Sequence, residues 1–162
     1  MTFKIRKNSH YSNGFFYKLF KLINTKKELK YSVIFDDSCI YVDDTIDRLD
    51  VNKLFGFSNG SHHNNSYRFG WNCIDDSIKI YAYTYVDGKR IIKTLGTVEI
   101  NKTYKFIITI NHDILTYKVI SENNRKQEVI MLIPNRKLFG YTLWPYFGGN
   151  KTAPKNIFIK LK

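Results

Sequence analysis

The strongest constraint on the fold lies in Ser77 to Val86, where Ile78, Ile80, Ala82, Thr84 and Val86 alternate with Lys79, Tyr81, Tyr83 and Tyr85. Strict period two is a β-strand with one buried face, because successive side chains point to opposite sides of the chain. Asp87-Gly88 follows, a two-residue turn that suits the positive φ of a hairpin, and Lys89 to Val98 returns. The same reading pairs Tyr104 to Ile110 with Leu115 to Ser121 around a turn at Asn111 to Asp113. Further strands are expected at Tyr31 to Phe35, Leu54 to Phe57, Ser66 to Trp71, Val129 to Ile133, Thr142 to Phe147 and Asn156 to Leu161.

About ten short strands without an amphipathic helix predict an all-β fold, an antiparallel two-sheet β-sandwich of jelly-roll, concanavalin A-like type. A closed barrel is the alternative, and an immunoglobulin-like sandwich lacks its Cys…Trp…Cys arrangement. The 162 residues match a single sandwich domain spanning 1–162, and 43% hydrophobic with 25% charged residues can fill a core. No apolar run reaches the length of a membrane span, since Lys18 and Lys21 interrupt the best stretch, Phe15 to Ile23. The N-terminus carries no signal peptide pattern, so the expectation is a chain that is cytoplasmic at synthesis, with association to a virion as the alternative location. Cys39 and Cys73 lack metal-ligand spacing and read as buried thiols in preference to a disulfide framework, with a single bridge as the alternative.

Lys+Arg 26 against Asp+Glu 14 gives a net charge of +12, which calls for an anionic partner. Lys4, Arg6, Lys7, Lys18, Lys21, Lys26, Lys27 and Lys30 form a basic belt in the N-terminal third. Nucleic acid fits basic charge with abundant aromatics in general terms, but no specific nucleic-acid motif supports it. Acidic residues concentrate at Asp36, Asp37, Asp43, Asp44, Asp47 and Asp50, opposed by Arg48. They lack the spacing of a calcium loop and read as solvated loop charge; neither a metal nor a cofactor is expected.

Strand phase locates the candidate site. Ser66 and Arg68 share one face while Tyr67, Phe69 and Trp71 take the core side, and Tyr81, Tyr83, Tyr85 and Lys79 project outward. If the two strands are neighbours, Arg, Lys, Ser and three Tyr line one concave face. Phenol rings pack on the apolar faces of sugars, and a guanidinium holds a carboxylate bidentately. His62-His63 falls in the polar segment from Ser58 to Asn65, either a solvated loop pair or imidazoles brought to a substrate. Trp144 to Gly149 reads equally as an aromatic sugar platform or as a strand ending in a glycine turn.

The order Asn52-Lys53-Leu54-Phe55-Gly56-Phe57, then Asn65-Ser66-Tyr67-Arg68-Phe69-Gly70-Trp71, then Ile80-Tyr81-Ala82-Tyr83 resembles the motif order of jelly-roll polysaccharide lyases acting on alginate and glucuronan. The resemblance covers roughly Val51 to Ile110, with Phe55 where that motif has proline. It implies β-elimination on a uronic acid, with Lys53, Ser66, Arg68, Tyr81 and Tyr83 as catalytic candidates; strand phase and the loop reading add Tyr85, Lys79, His62 and His63 beside them as candidate substrate-binding groups. The chain also resembles uncharacterised proteins of gut Bacteroidetes and their phages, through Lys53 to Ser58, Asn65 to Trp71 and Pro145-Tyr146-Phe147-Gly148-Gly149 with Ala153-Pro154.

Abstracting a proton alpha to a carboxylate requires neutralising an enediolate, a task suited to Arg68, and a base within reach. A tyrosinate meets that need only if cations such as Lys53 and Lys79 lower its pKa from about 10. The leading expectation is recognition, or cleavage, of an anionic polysaccharide. The alternative is a non-catalytic accessory protein that uses the sandwich to contact virion or assembly subunits. A lyase requires the candidates to converge on an open groove, whereas an assembly module fills or covers it.

Overall fold

The computed structural model describes residues 1–14, 23–24, 27–42, 50–134 and 140–162. Lys18, Lys21, Lys26, Asp43, Asp44, Asp47 and Arg48, and most of the Phe15 to Ile23 stretch, lie outside the described residues. The strands are β1 (Thr2–Ile5), β2 (Ile23–Asn24), β3 (Glu28–Phe35), β4 (Asn52–Ser58), β5 (Ser66–Ile74), β6 (Ser77–Val86), β7 (Lys89–Val98), β8 (Tyr104–Asn111), β9 (Ile114–Ser121), β10 (Lys126–Leu132), β11 (Gly140–Leu143) and β12 (Ile157–Leu161). They form two six-stranded antiparallel sheets, ordered β1-β12-β3-β8-β9-β10 and β2-β11-β4-β5-β6-β7. The chain is therefore an antiparallel β-sandwich of the jelly-roll type, and among the described residues its helical content is one 3-10 turn, Asp37–Cys39. No helix among them is long and apolar enough to cross a membrane.

Alternation builds the layer between the sheets. Phe55, Phe57, Tyr67, Phe69 and Trp71 from the second sheet meet Phe35, Phe106, Ile108 and Tyr117 from the first, all fully buried or nearly so. Phe69 stands edge-on to Phe106 and to Tyr117, at 4.9 and 5.2 Å between ring centroids. Burying each such ring contributes roughly 2 kcal/mol or more. The one hydroxyl that this layer carries inward from β9, that of Tyr117, is satisfied by Thr84 Oγ1 at 2.7 Å. Cys39 and Cys73 are buried and unbridged.

Local turn chemistry matches the sequence at β6–β7, where Asp87 (φ 49°) and Gly88 (φ 76°) close a two-residue hairpin between the paired Val86 and Lys89. Asp75 and Asp76, both at positive φ, make an equivalent turn between Ile74 and Ser77 that carries no glycine signal. Two strand expectations are corrected. The strand expected at Thr142 to Phe147 is only Gly140–Leu143, because Trp144 turns into the core and Pro145 cannot donate to a ladder. The strand expected at Leu54 to Phe57 runs from Asn52 to Ser58 and contains a bulge: Lys53 pairs with Gly70, but Gly56 pairs with Arg68. The extra residue lets Leu54 and Phe55 both bury inward while Lys53 and Gly56 share the outer face.

Candidate functional site

Register brings the sequence candidates into three rows across the outer face of the second sheet. Isolated bridges join Tyr11 to Tyr146 and Tyr146 to Lys53, and the ladder continues through Gly70 to Tyr81. The next row runs Leu143, Gly56, Arg68, Tyr83, Ile92. The third holds Ser58, Ser66, Tyr85 and Arg90, and Lys79 lies opposite Asn72 one position beyond the first. β5 and β6 are neighbours, as the site requires, and Lys53, Ser66, Arg68, Tyr81, Tyr83 and Tyr85 share one face.

Exposure corrects the expected picture of side chains projecting outward. Ser66 is buried, Lys53 and Arg68 are each 9% exposed and Tyr83 is 4% exposed, while Lys79, Tyr81 and Tyr85 are half-buried. Gly56 shows how this happens. A Cβ there would lie 2.6 Å from Arg68 Cα and 2.9 Å from its Cγ, so the arginine stem lies over the glycine. Its Nη2 donates to the Trp144 carbonyl at 3.0 Å, and its Nε is buried without a partner. Lys53 Nζ donates to the Gly148 carbonyl at 2.9 Å and stands 5.1 Å from the centroid of the Tyr83 ring.

The segment around Lys53 clamps the loop that follows β11. Lys53 and Tyr146 exchange backbone hydrogen bonds, and the Asp50 carboxylate accepts from the amides of Gly149 and Asn150. Asn52 accepts from the Gly148 amide. Trp144 and Phe147 pack in the core and Tyr146 faces outward, so the segment divides between the two readings the sequence left open.

Burial dominates the electrostatics. It lowers Lys53 to about 8, opposed by Asp50 and reinforced by Arg68 and Arg90, and it lowers Arg68 to about 10 despite the surrounding tyrosine hydroxyls. It pushes Tyr83 up to about 12, outweighing the hydrogen bond from Arg90, and raises Tyr81 and Tyr146 as well. The condition for a tyrosinate base, that nearby cations lower its pKa, is not met at Tyr81 or Tyr83, where desolvation wins. Of the lysine, arginine and tyrosine side chains with a shifted pKa on this face, the Lys53 amine comes nearest to neutral pH.

The two imidazoles sit at one rim. The rings of His62 and His63 are 4.2 Å apart, His62 Nδ1 bonds the Tyr141 hydroxyl, and His63 stands edge-on to Tyr85. Burial, His63 and Arg68 depress the His62 pKa. Among the described residues no cluster of metal-ligating side chains occurs. Asp36 caps the 3-10 turn through the Ser38 amide, and Asp37 accepts from Asn101, so these carboxylates serve local structure. Sequence reasoning missed Tyr11, Tyr141 and Arg90 as members of this face, since their placement depends on long-range register. A separate cavity of about 710 Å3, lined by residues such as Asp76, Glu99, Lys102, Glu122 and Gln127, contains none of the sequence candidates.

No family model and no curated protein matches the sequence. Solved structures do match in fold. An alginate lyase from Klebsiella pneumoniae superposes with a TM-score of 0.63 at 9% identity over 83% of this chain, which spans 58% of that enzyme. A protein of unknown function from Saccharomyces cerevisiae gives 0.55 at 11% identity, covering 88% of this chain and 69% of that one. The CBM2 module of the evolved Dit of Lactobacillus casei BL23 phage J-1 gives 0.50 at 12% identity, covering 99% and 68%. At such identities the likeness is one of architecture, and what this chain shares with all three is the two-sheet β-sandwich.

Proposed function

We propose that the outer face of β4, β5 and β6 binds an acidic polysaccharide, with the chain acting as one sandwich domain. The observation that carries this reading is a pair of buried cations that form no ion pair among the described residues. Among the described residues, ion pairs form between Lys118 and Glu128 and between Lys126 and Glu128, and neither Lys53 nor Arg68 takes part in one. Burying a charge is costly unless it is paired, and here the second charge lies close enough to depress the first. A uronate carboxylate arriving at this face supplies the missing anion, and half-buried Tyr81 and Tyr85 offer phenol edges to sugar hydroxyls. The fold shared with an alginate lyase and with a carbohydrate-binding module is compatible with that use.

A second reading, cleavage by β-elimination, is favoured by one observation: a lysine brought to about 8 beside a guanidinium. Neutral Lys53 amine would take the C5 proton of the uronate. Arg68 would stabilise the enediolate, and a protonated tyrosine, Tyr81 or Tyr83, would return a proton to the departing O4 oxygen. High tyrosine pKa values suit donors and not bases.

Titration with alginate, polyglucuronate and neutral dextran tests binding, and the ultraviolet absorbance of the unsaturated uronate tests cleavage in the same samples. Binding to both polyuronates, lost in Arg68→Ala and absent for dextran, supports the site; absorbance growth in the wild type alone adds the lyase step. Absence of binding to either polyuronate overturns the reading and favours a face that contacts other protein subunits.

A further inference from the structure

Tyr11 is 72% exposed, unusually so for an aromatic ring held in place on both sides along its chain. It pairs with Tyr146 in an isolated bridge. On one side His10 and Phe147 are tied together, since the Phe147 amide donates to the His10 carbonyl and His10 Nδ1 donates to the Phe147 carbonyl at 2.9 Å. On the other side the Ser12 hydroxyl donates to the Pro145 carbonyl at 2.7 Å. Tyr146 is stacked on the His10 ring, 5.2 Å between centroids and 6° from parallel, and Tyr11 stands at 86° to Tyr146. The result is a right-angled aromatic corner, fixed by backbone pairing and open to solvent.

The corner continues the row that contains Lys53. Tyr11 is two strand positions away from Lys53, about 10 Å at the usual strand spacing. A glycan laid across the strands with one uronate at Lys53 carries a neighbouring sugar over the corner. From this we infer that Tyr11 and Tyr146 form a second glycan subsite, which packs the apolar face of a pyranose ring and extends the site towards the N-terminal segment. The inference rests on the polysaccharide reading of the Lys53–Arg68 face. It also assigns work to Tyr11, whose ring adds nothing to the core between the sheets.

Stacking on a preordered ring contributes through area and geometry without charge, so its removal should cost about tenfold in affinity and leave the charge-dependent part intact. The test is calorimetric titration of wild type, Tyr11→Ala, Tyr11→Phe and Lys53→Met with oligoguluronate and oligomannuronate of several residues and with monomeric glucuronate. Tyr11→Ala should bind the oligomers about tenfold more weakly, Tyr11→Phe should bind them as the wild type does, and monomer binding should not distinguish the two Tyr11 variants from the wild type. If Tyr11→Ala binds every oligomer like the wild type while Lys53→Met loses them, the subsite is overturned and the primary site stands. If the wild type binds no oligomer, the primary reading fails and the subsite fails with it. Circular dichroism melting of Tyr11→Ala, expected within a few degrees of wild type for a surface ring, separates lost contact from lost fold.

Discussion

The sandwich has two outer faces, and they treat positive charge in opposite ways. On the first sheet, Lys118 of β9 stands opposite Glu128 of β10 in the ladder and pairs with it at 3.2 Å; Lys126 reaches the same carboxylate at 2.7 Å. All three side chains keep a substantial solvent contact. On the second sheet, Lys53 stands opposite Gly70 and Arg68 opposite Gly56. At Gly56 the missing side chain leaves room for Arg68 to lie down on the sheet, whereas Lys53 is held by the Gly148 carbonyl beside the Tyr83 ring. A cation opposite a carboxylate is ordinary surface structure worth little. Cations sunk in the sheet without an ion pair among the described residues are the feature on which the proposed anion site rests.

The glycines are the most sensitive point of this contrast. A Cβ at Gly56 would meet the Tyr67 carbonyl oxygen at 2.0 Å and Arg68 Cα at 2.6 Å, and backbone atoms in the middle of a ladder have nowhere to move. Gly56→Ala is expected to destabilise the fold by about 3 kcal/mol, read as a lower urea midpoint. A midpoint like that of the wild type would show that Arg68 is not packed against the sheet as described.

Next in size is the loss of binding on removing a sunk cation. Arg68→Ala should weaken polyuronate binding about a hundredfold, about 3 kcal/mol, whereas Lys118→Ala on the other face should change it less than about twofold at moderate salt. Equal losses from the two substitutions would reduce the interaction to non-specific attraction by a basic protein, and the contrast between the faces would disappear.

How much of this was legible beforehand follows from the same residues. Period two in β6 and β8, together with Asp87-Gly88, revealed strands and one hairpin almost to the residue, because those signals are local. Strand phase likewise placed Tyr67, Phe69 and Trp71 inward and Ser66 and Arg68 outward. The bulge between Lys53 and Gly56 was not legible: simple alternation puts Lys53 on the side of Phe55 and Phe57, and only pairing with β5 shifts the phase. Depth was not legible either. Ser66, Arg68 and Tyr83 are outward by phase yet buried: Arg68 is tied to the Trp144 carbonyl far along the chain, and Tyr83 lies under Lys53 and beside Tyr85 and Arg90. Tyr11 joins the face only through a bridge to Tyr146, a pairing no local pattern announces.

Proton linkage sharpens the comparison further. Lys53 has a folded pKa of about 8, below its ordinary 10.5, so the unfolded chain binds the extra proton between those values. Its burial penalty is present in full below pH 8 and is relieved as pH rises towards 10.5. Wild type should therefore gain stability relative to Lys53→Met across that window by about 2 kcal/mol, allowing for solvent screening. The difference between the two proteins isolates the lysine, because Cys39 and the buried tyrosines, whose raised pKa values act in the opposite direction, are common to both. Ligand affinity should move the other way and fall above pH 8, as the cation that meets the carboxylate is lost. Denaturation curves at pH 7 and 10 with a constant difference would mean that Lys53 is not buried as a cation.

The smallest effect belongs to the solvated face. Glu128 is held below its ordinary pKa chiefly by the hydrogen bond from Lys126, with Lys118 adding to it. A carboxyl lowered on folding stabilises above its unfolded pKa of 4.5 and ceases to do so as pH falls through the folded value. Glu128→Gln should nevertheless cost no more than about 0.5 kcal/mol at neutral pH and low salt, and less in 1 M salt, because both lysines are already hydrated. Chemical denaturation in urea at the two ionic strengths measures this. A salt-independent loss of 2 kcal/mol or more would place Glu128 among buried ion pairs and erase the distinction between a face whose charges are solvated and one whose cations are buried.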